Sequence, residues 1–350
     1  MAGFPSLKSY LETWTADDVY REAIADTVIA ISDGCRTLSG IIRAGALAQP
    51  SDTSADTGVN ADGDNQTELD VLANEILIDA IWAAPVSYVL SEELDEPATL
   101  RAFEPLYVAI DPLDGSSNID NNVSIGTIFS VLPMTKDAET GKATPEFQPG
   151  VNQLAAGYVV YGPQTVLVLT VGAGTQIFTL DPDSNEFRLT DQDISIPSTT
   201  SEFTINASNY RHWDHPVRGY IDDCLAGQDG PRDRNYNMRW IASLVAETHR
   251  IFRRGGIFLY PGDQRQGYGQ GRLRLIYEAS PIAFLVEQAG GRATTGYEDI
   301  LHIQPGSLHE RTSLIFGSGD EVETVERYHR ELHPVGERSP LFSQRGLFRT

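Results

Sequence analysis

The sequence predicts an α/β protein, and three patterns support that prediction. Residues 86–90 (VSYVL) and 106–110 (LYVAI) are short apolar runs rich in β-branched residues, which is typical of buried strands. Between residues 20 and 42, apolar residues recur every three or four positions, as on one face of a long helix. Between residues 154 and 189, short alternating runs are separated by Gly and Pro, which indicates an antiparallel meander.

The first predicted helix begins at Thr15, whose hydroxyl can cap a helix and which is followed by the acidic Asp17 and Asp18. Its apolar face continues to Ile42, in either one long helix or a pair of helices with a break near Gly34. This face packs either in the core or at a subunit interface, and the pattern does not separate the two.

A polar, Gly/Asp/Ser-rich segment at residues 49–65 is predicted to be a loop. The helix that follows carries Asp70 in its first turns. The residues expected on its buried side are Leu69, Leu72, Ile76 and Ala80. Asp64 and Asp70 flank the start of this helix, where acidic residues are common for reasons of capping and dipole alone.

Acidic residues follow both predicted strands. Glu92 and Glu93 come directly after residues 86–90, and Asp111 and Asp114 come after residues 106–110. If the two strands are neighbours in one sheet, these carboxylates meet at one edge and provide two or three all-oxygen Mg²⁺ positions. We expect Glu93 to support the ligands rather than to be one.

Gly115 allows a tight turn after Asp114, and the amides of Gly115, Ser116 and Ser117 can form a concave set of donors for a phosphate. A metal site beside a phosphate site suggests phosphoryl transfer to water. Alone, this segment is also compatible with an ordinary turn, since its residue types all favour turns.

The second half contains further strands and helices after a candidate domain junction at residues 191–200. The predicted strands are 203–205, 257–260 and 312–316, and the predicted helices are 215–225, 239–252, a segment through Phe284 that ends at Gly290, and 321–332. Arg239, Arg272 and Arg274 lie at element ends, where arginine can contact phosphate in bidentate fashion. His249 lies in an apolar helix and is interpreted as a core residue.

Composition excludes several classes of function. The net charge of −23 argues against nucleic acid or an anionic membrane as a partner, because such binding needs a basic surface. No apolar stretch is long enough for a membrane-spanning helix, and a secretory signal is not expected. Cys35 and Cys224 are too few for a disulfide framework, so a reducing, cytoplasmic setting is expected, with a redox-switch pair as the less favoured alternative.

Five segments resemble the class I fructose-1,6-bisphosphatases, and they occur in order over most of the chain. The segments are GDNQTELDVLANE (63–75), SEE (91–93), DPLDGSSNID (111–120), GGIFLYP (255–261) and LIYEASPIAFLVEQAGG (275–291). Taken by itself, the segment 111–120 would also fit the wider inositol-monophosphatase-like superfamily, whereas segments 255–261 and 275–291 are more specific to the family. The resemblance implies a sugar-phosphatase fold with alternating helix and sheet layers and a homotetramer. It also implies an N-terminal domain (1–198) that carries most metal ligands and a C-terminal sugar-phosphate domain (199–350).

The resemblance also implies roles for individual residues. The implied metal ligands are Asp64, Glu92, Asp111, the carbonyl of Leu113, Asp114 and Glu278. Asp70, Glu92 and Glu93 are the implied catalytic residues, with Asp70 and Glu93 activating the attacking water. Asp114, Gly115, Ser116 and Ser117 are implied to bind the 1-phosphate end. The residues implied to bind the 6-phosphate and sugar are Asn206, Arg239 (from a neighbouring subunit), Tyr260 and Arg272.

The chain departs from the family pattern at several positions. Arg272 stands where lysine is frequent in the family, and Trp240 where tyrosine is frequent. Since Trp240 lacks the hydroxyl group, the resemblance implies the loss of one hydrogen bond to the 6-phosphate. Leu106 and Pro133 occupy places where basic residues help to hold inhibitory AMP. We therefore predict weak or absent AMP inhibition.

The predicted function is metal-dependent hydrolysis of the 1-phosphate of fructose 1,6-bisphosphate, in gluconeogenesis or the Calvin cycle. The cofactor is expected to be Mg²⁺, two or three ions per subunit, with Mn²⁺ as an alternative. The nearest alternative is a sedoheptulose-1,7-bisphosphatase or a bifunctional enzyme. An alternative of another class is an acidic, cation-binding protein without turnover.

Overall fold

The computed structural model describes residues 3–47, 68–136, 143–145 and 147–331. The helices are α1 (Leu7–Thr15), α2 (Val19–Ala44), α3 (Glu68–Ile81), α4 (His215–Ala226), α5 (Leu244–Arg254), α6 (Ser280–Gln288) and α7 (Gly319–Arg330). The first strands are β1 (Val86–Ser91), β2 (Ala98–Thr99), β3 (Leu106–Asp114), β4 (Ile125–Pro133), β5 (Thr135–Lys136), β6 (Ala143–Thr144), β7 (Ala155–Tyr161), β8 (Thr165–Thr170), β9 (Thr175–Leu180) and β10 (Phe187–Asp191). The later strands are β11 (Glu202–Thr204), β12 (Asn237–Arg239), β13 (Ile257–Tyr260), β14 (Leu273–Arg274), β15 (Arg292–Thr294), β16 (Arg311–Thr312) and β17 (Leu314–Gly317).

Two large sheets organise the chain. An eight-stranded sheet has the order β10-β9-β8-β7-β4-β3-β1-β2, and a five-stranded sheet has the order β12-β11-β13-β17-β15. In the first sheet β1 and β3 are parallel, whereas β4, β7, β8, β9 and β10 follow as an antiparallel meander. The predicted meander is therefore confirmed.

Helices and sheets alternate in five layers. One face of the eight-stranded sheet packs against α1, α2 and α3, with Ile31, Leu77 and Phe129 in that core. The opposite face packs with α5 and α6 against the five-stranded sheet, through residues such as Tyr158 and Phe316. The far side of the five-stranded sheet is covered by α4 and α7. The expected layered α/β fold is confirmed, and it arises because each strand alternates its side chains between two buried faces.

The start of the chain differs from the prediction. Thr15 ends α1, a helix that the sequence reasoning missed, and α2 begins after Asp18, whose carboxylate accepts from the amides of Tyr20 and Arg21 at 2.9 and 3.1 Å. The alternative with a break near Gly34 is also wrong, because α2 is continuous there. Gly34 instead permits close packing on α3, since a Cβ at this position would lie 2.9 Å from Cδ2 of Leu77.

The buried face of α3 was predicted only in part: Leu69 and Ile76 pack against the core, but they are not its most buried residues. Its buried residues are Asp70, Ala73, Asn74, Leu77 and Ile81, whereas Leu72 is exposed and Leu69, Ile76 and Ala80 are partly buried. Apolar residues occur on several sides of this helix, so their spacing did not decide the face. The helix turns a polar pair, Asp70 and Asn74, towards the end of β1, where Oδ1 of Asn74 accepts from the Ser91 hydroxyl at 2.7 Å.

The second half follows the prediction except around Arg239 and at the predicted strand 312–316, which the structure divides between β16 and β17 in two different sheets. Strand β13 has the predicted bounds, and α4 and α7 lie within one or two residues of theirs. Arg239 was predicted to begin a helix, but it ends β12, and α5 begins only at Leu244 after a cap by Ser243. None of the described helices is both long enough and apolar enough to cross a membrane.

Candidate active site

The carboxyl ends of β1 and β3 lie side by side. The two strands pair in parallel, with Ser91 opposite Ile110, and the amide of Glu92 donates to the carbonyl of Ile110 at 3.1 Å. The expected neighbourhood of these strands is therefore confirmed, and it brings Glu92 next to Asp111. A parallel pair produces this arrangement because both strands end at the same edge of the sheet.

A β-bulge directs Asp111 and Asp114 to the same side. The strand does not end at Ile110 as predicted but continues to Asp114, with Asp111 opposite Ile128 and Asp114 opposite Gly126. Three steps along β3 therefore face two steps along β4. In a regular strand residues three apart point to opposite faces, so the extra residue of the bulge is what allows the two carboxylates to converge.

Side-chain hydrogen bonds hold the bulge. The hydroxyl of Thr127 on β4 donates to the carbonyl of Pro112 at 2.9 Å, and Oδ1 of Asp111 accepts from the amide of Leu113 at 3.0 Å. Because a bulge interrupts the ladder, these bonds satisfy groups that the neighbouring strand does not pair.

A third carboxylate arrives from the C-terminal half of the chain. Glu278 lies in a π-helical turn, Leu275–Ala279, directly before α6, and its Oε2 accepts from the amide of Arg274. One ligand oxygen from each of Asp111, Asp114 and Glu278 lies within 4.8 Å of the other two. The π-turn is a local irregularity of the kind often found at functional sites.

The electrostatics of this cluster fit a bound cation. Burial and the neighbouring carboxylates raise the pKa of Asp111 and of Glu278 well above the ordinary value. Burial raises the pKa of Asp114 to about 6, although the amide of Val245, at 3.0 Å from its Oδ2, opposes the shift. Burial also raises the pKa of Glu92 to about 7, against the nearby Arg274 guanidinium. Buried carboxylates that face one another are costly without a cation, and an all-oxygen donor set suits Mg²⁺ or Mn²⁺.

Arg274 has a different setting from the one predicted. It was interpreted as a phosphate-binding residue at an element end, but it is buried, with its Nη2 at 3.8 Å from Oε1 of Glu92. Its Nη1 donates to the carbonyl of Arg272 at 2.9 Å. The guanidinium therefore offsets part of the negative charge of the carboxylate cluster.

The Gly115–Ser117 segment lies beside the cluster. Gly115 has φ +77°, a conformation that favours glycine, and it precedes a 3₁₀ turn, Ser116–Asn121. The side-chain amide (Nδ2) of Asn118 in this turn donates to the carbonyl of Ala242 at 2.7 Å, which connects the segment to the residues before α5. Ser116 is half-buried and Ser117 is exposed, so this segment lies at the surface of the site.

The other predicted catalytic residues lie around the same edge. Asp70 is buried in the first turn of α3, on the face that reaches the end of β1. Glu93 is half-buried, its amide donates to Oγ of Ser91 at 3.3 Å, and its charge raises the pKa of Glu92. Asp64, predicted as a metal ligand, lies outside the described residues.

A second pocket lies between the segment that joins β11 to α4, which contains a 3₁₀ turn (Ala207–His212), and the loop after β13. Its lining includes three of the predicted sugar-phosphate residues, Asn206, Tyr260 and Arg272. Trp240 stacks on Tyr260, with ring centroids 6.3 Å apart and an interplanar angle of 14°. Arg239 is not among the lining residues; it lies on the exposed strand β12, where its Nη2 is 3.3 Å from Oε1 of Glu202.

Sequence reasoning missed several residues of this pocket. Asn209, Asp263, Arg265 and Tyr268 also line it. The last three lie in the Gly- and Gln-rich segment 262–271. The sequence did contain one indication of this: the loop that joins Tyr260 to Arg272 carries an arginine and a tyrosine, which can both contact a phosphate.

Comparisons with known proteins agree with this geometry. Residues 13–192 match the family model for the fructose-1,6-bisphosphatase N-terminal domain, and residues 196–330 match that for the C-terminal domain. The chain is 51% identical over 346 residues to the class 1 fructose-1,6-bisphosphatase of Rhizobium meliloti, covering 98% of this chain and 99% of the relative. It is 50% identical over 343 residues to a class 1 fructose-1,6-bisphosphatase of Xanthobacter autotrophicus, covering 98% and 92%.

Solved structures give the same result. The crystal structure of Leishmania major fructose-1,6-bisphosphatase in its holo form superimposes with a TM-score of 0.85 at 34% identity, covering 94% of this chain and 99% of that one. The apo form of the same protein gives a TM-score of 0.81 at 33% identity, covering 94% and 100%.

Proposed function

Because this chain belongs to the fructose-1,6-bisphosphatase family, we propose that it hydrolyses the 1-phosphate of fructose 1,6-bisphosphate, releasing fructose 6-phosphate and phosphate. The observation that carries this proposal is the convergence of Asp111, Asp114 and Glu278 within 4.8 Å, beside the Gly115–Ser117 segment. A cluster of buried carboxylates next to backbone amides provides a cation site and an anion site in one place.

The proposed cofactor is Mg²⁺, two or three ions per subunit, with Mn²⁺ as an alternative. The ligands that we assign are Asp64, Glu92, Asp111, the carbonyl of Leu113, Asp114 and Glu278. When bound, such a cation neutralises charge on the phosphoryl group and makes a nearby water more acidic. The raised pKa values of Glu92 and Asp114 support this assignment, because a cation would stabilise the ionised forms that burial disfavours.

Side chains and backbone amides of the protein bind the substrate and accept the proton of the attacking water. The amides of Gly115, Ser116 and Ser117 hold the 1-phosphate, and Asp70 with Glu93 accepts the proton of the attacking water. Asn206, Tyr260 and Arg272 hold the sugar and its distal phosphate in the second pocket, whose lining supports this role. Arg239 acts in the neighbouring subunit, a role supported by its exposed place on the edge strand β12.

A sedoheptulose-1,7-bisphosphatase, or an enzyme for both substrates, is the second candidate. The observation that favours it is the altered distal pocket, where Trp240 stacks on Tyr260 and Arg272 supplies a wide guanidinium. The two substrates share the 1-phosphate end and differ by one carbon in length. The non-catalytic alternative is disfavoured because the carboxylates that hydrolysis needs converge at one edge.

The test is phosphate release from fructose 1,6-bisphosphate, measured with and without Mg²⁺. Sedoheptulose 1,7-bisphosphate and inositol 1-phosphate serve as comparison substrates. Metal-dependent release of one phosphate from the fructose ester is expected, and the ratio of kcat/KM for the two bisphosphates decides between the two candidates. No release from any of the three would overturn the proposed function.

We also propose the assembly and setting of this enzyme. A homotetramer is expected, with a solution mass four times that of the chain in sedimentation equilibrium. The two domains are proposed to divide at residue 198, between β10 and β11, and the enzyme is proposed to serve gluconeogenesis or the Calvin cycle. A cytoplasmic location is supported by Cys35 and Cys224, which are both free, buried thiols.

A further inference from the structure

We propose that Arg265 and Tyr268 form, together with Arg272, the recognition site for the distal phosphate and so make the enzyme selective for bisphosphates. This inference rests on the proposed function and assigns a role to two residues of the loop between β13 and β14. All three side chains line the second pocket, alongside Tyr260 and Asn206.

Tyr268 brings the two cations together. The guanidinium carbon of Arg265 lies 4.4 Å from the centroid of the Tyr268 ring, and that of Arg272 lies 5.0 Å from the same centroid. The electron-rich face of an aromatic ring attracts cations at these distances. The ring therefore holds in one pocket two like charges that would otherwise repel each other.

Asp263 orients the guanidinium of Arg265. Both Nε and Nη2 of Arg265 donate to the Asp263 carboxylate, with Nε at 3.0 Å from each carboxylate oxygen. Asp263 is itself buried and bridges to Trp213 through the backbone. Since Nε and Nη2 of Arg265 are used in this ion pair, Nη1 is the nitrogen that can donate to another acceptor.

The pocket retains a net positive charge. Asp263 compensates Arg265, but within the described part of the chain no carboxylate lies within 4.0 Å of the Arg272 guanidinium. In a chain of net charge −23, a pocket that gathers two arginines around one ring is suited to an anion. A phosphate matches it best, since guanidinium groups bind phosphate oxygens in bidentate fashion.

The competing explanation is that Arg265 and Asp263 only stabilise the loop and its contact with Trp213, which lies before α4. The two explanations differ in which substrate they affect. A phosphate contact matters for fructose 1,6-bisphosphate but not for fructose 1-phosphate, which has no distal phosphate, whereas a loop defect affects both.

The experiment compares wild type with Arg265→Gln and Tyr268→Leu on both substrates. Each variant is expected to raise KM for the bisphosphate roughly tenfold or more, from the loss of a charge-assisted contact, with kcat/KM for fructose 1-phosphate changed less than about twofold. Tyr268→Phe, which keeps the ring, should recover most of the loss seen with leucine. Arg188→Gln is the matched control, because Arg188 also pairs with a carboxylate, at 2.6 Å from Glu186, and its side chain has the same 33% exposure as that of Arg265.

Binding measured without turnover separates this inference from the proposed function. Fructose 6-phosphate titrated into the metal-free enzyme should bind wild type at least about tenfold more tightly than Arg265→Gln. Equal binding by the two proteins, or an equal loss with both substrates, would overturn the inference. If wild type releases no phosphate but shows the binding difference, the proposed function fails and the phosphate site stands.

Discussion

At the scale of single residues, the carboxylate cluster is energetically costly in the absence of a cation. Asp111, Asp114 and Glu278 are all buried, and the pKa of each is raised by burial. Folding does not favour such an arrangement in the absence of a cation, because each ionised group loses water without gaining a full partner. The cluster is therefore best explained by its function.

Glu92→Gln should abolish turnover without loss of the fold. The amide removes a negative ligand from the cluster, so we expect kcat to fall at least about a hundredfold. In metal-free protein near pH 8, the free energy of unfolding should stay equal or rise, since no buried charge remains at this position. Phosphate release and thermal unfolding provide the two measurements.

The control for this variant is Glu104→Gln. Glu104 is also partly buried and pairs with Arg101 at 3.9 Å, but it lies before the start of β3. Its substitution should leave activity unchanged. An active Glu92→Gln enzyme would contradict the assigned metal site.

The raised pKa values also predict how metal binding depends on pH. Glu92, at about 7, and Asp114, at about 6, retain protons in the folded metal-free protein that the unfolded chain has already lost at the same pH. The stability of the metal-free protein should therefore fall as pH rises from about 5 through about 7. Mg²⁺ replaces these protons, so it should raise Tm more near pH 8 than near pH 5.5.

Thermal unfolding in EDTA and in excess Mg²⁺ at both pH values measures this linkage. All samples are prepared without Ca²⁺ and at the same ionic strength, so that a general effect of salt on Tm is not mistaken for metal binding. A metal-induced increase in Tm that is the same at both pH values would mean that these carboxylates do not take up the cation.

At the scale of elements, two local irregularities position the site. The bulge in β3 turns Asp111 and Asp114 to one side, and the π-turn before α6 presents Glu278 to them. Both depend on hydrogen bonds from neighbouring segments, such as the one from Thr127 to Pro112. The regular strands and helices hold these segments in place, and the two irregularities orient the carboxylates.

Thr127→Val should loosen the bulge. Valine keeps the shape of threonine but cannot donate to the Pro112 carbonyl or pair with the Tyr161 hydroxyl, which lies 2.9 Å away. We expect the free energy of unfolding to fall by about 1–2 kcal/mol and the Mg²⁺ concentration for half-maximal activity to rise severalfold. Denaturant unfolding and metal titration of activity are the measurements.

Ser130→Ala is the matched control on the same strand. Ser130 is also fully buried in β4, but its Oγ has no hydrogen-bond partner among the described residues. Its removal should be neutral or slightly stabilising. Equal effects of the two substitutions would show that the Thr127 hydroxyl has no special role in holding the bulge.

At the scale of the whole molecule, five alternating layers place the carboxylate cluster and the second pocket on different sheets. The carboxylates of β1 and β3 belong to the eight-stranded sheet, whereas Tyr260 belongs to the five-stranded sheet. The layer of α5 and α6 lies between these sheets. At the start of α5, the amide of Val245 donates to Oδ2 of Asp114 in the carboxylate cluster at 3.0 Å, so this layer contacts the cluster directly.

Regulation by AMP is expected to be weak or absent. Leu106 and Pro133, which stand where basic residues hold the nucleotide in the resembling family, are paired at one end of β3 and β4, and Leu106 is fully buried. Neither side chain can offset the negative charge of a nucleotide phosphate. AMP up to about 1 mM should leave most of the activity, with inorganic phosphate as a positive control for product inhibition; inhibition at micromolar AMP would contradict this prediction.

The sequence by itself determined many of the strands and helices and the chemistry of the carboxylates. Strands such as 257–260 and the acidic residues after β1 and β3 could be predicted because they depend on local composition and on the edge where a strand ends. The resemblance to the family added Glu278, which lies far along the chain from the other acidic residues, to the predicted carboxylates.

Only the tertiary structure decided which side chains face each other across elements. It turned Asp70 and Asn74 inward on α3, placed Arg274 against Glu92, and brought Arg265 and Tyr268 into the pocket of Arg272. These contacts depend on how helices rotate and loops fold against distant segments, and the local pattern of residues does not encode that packing.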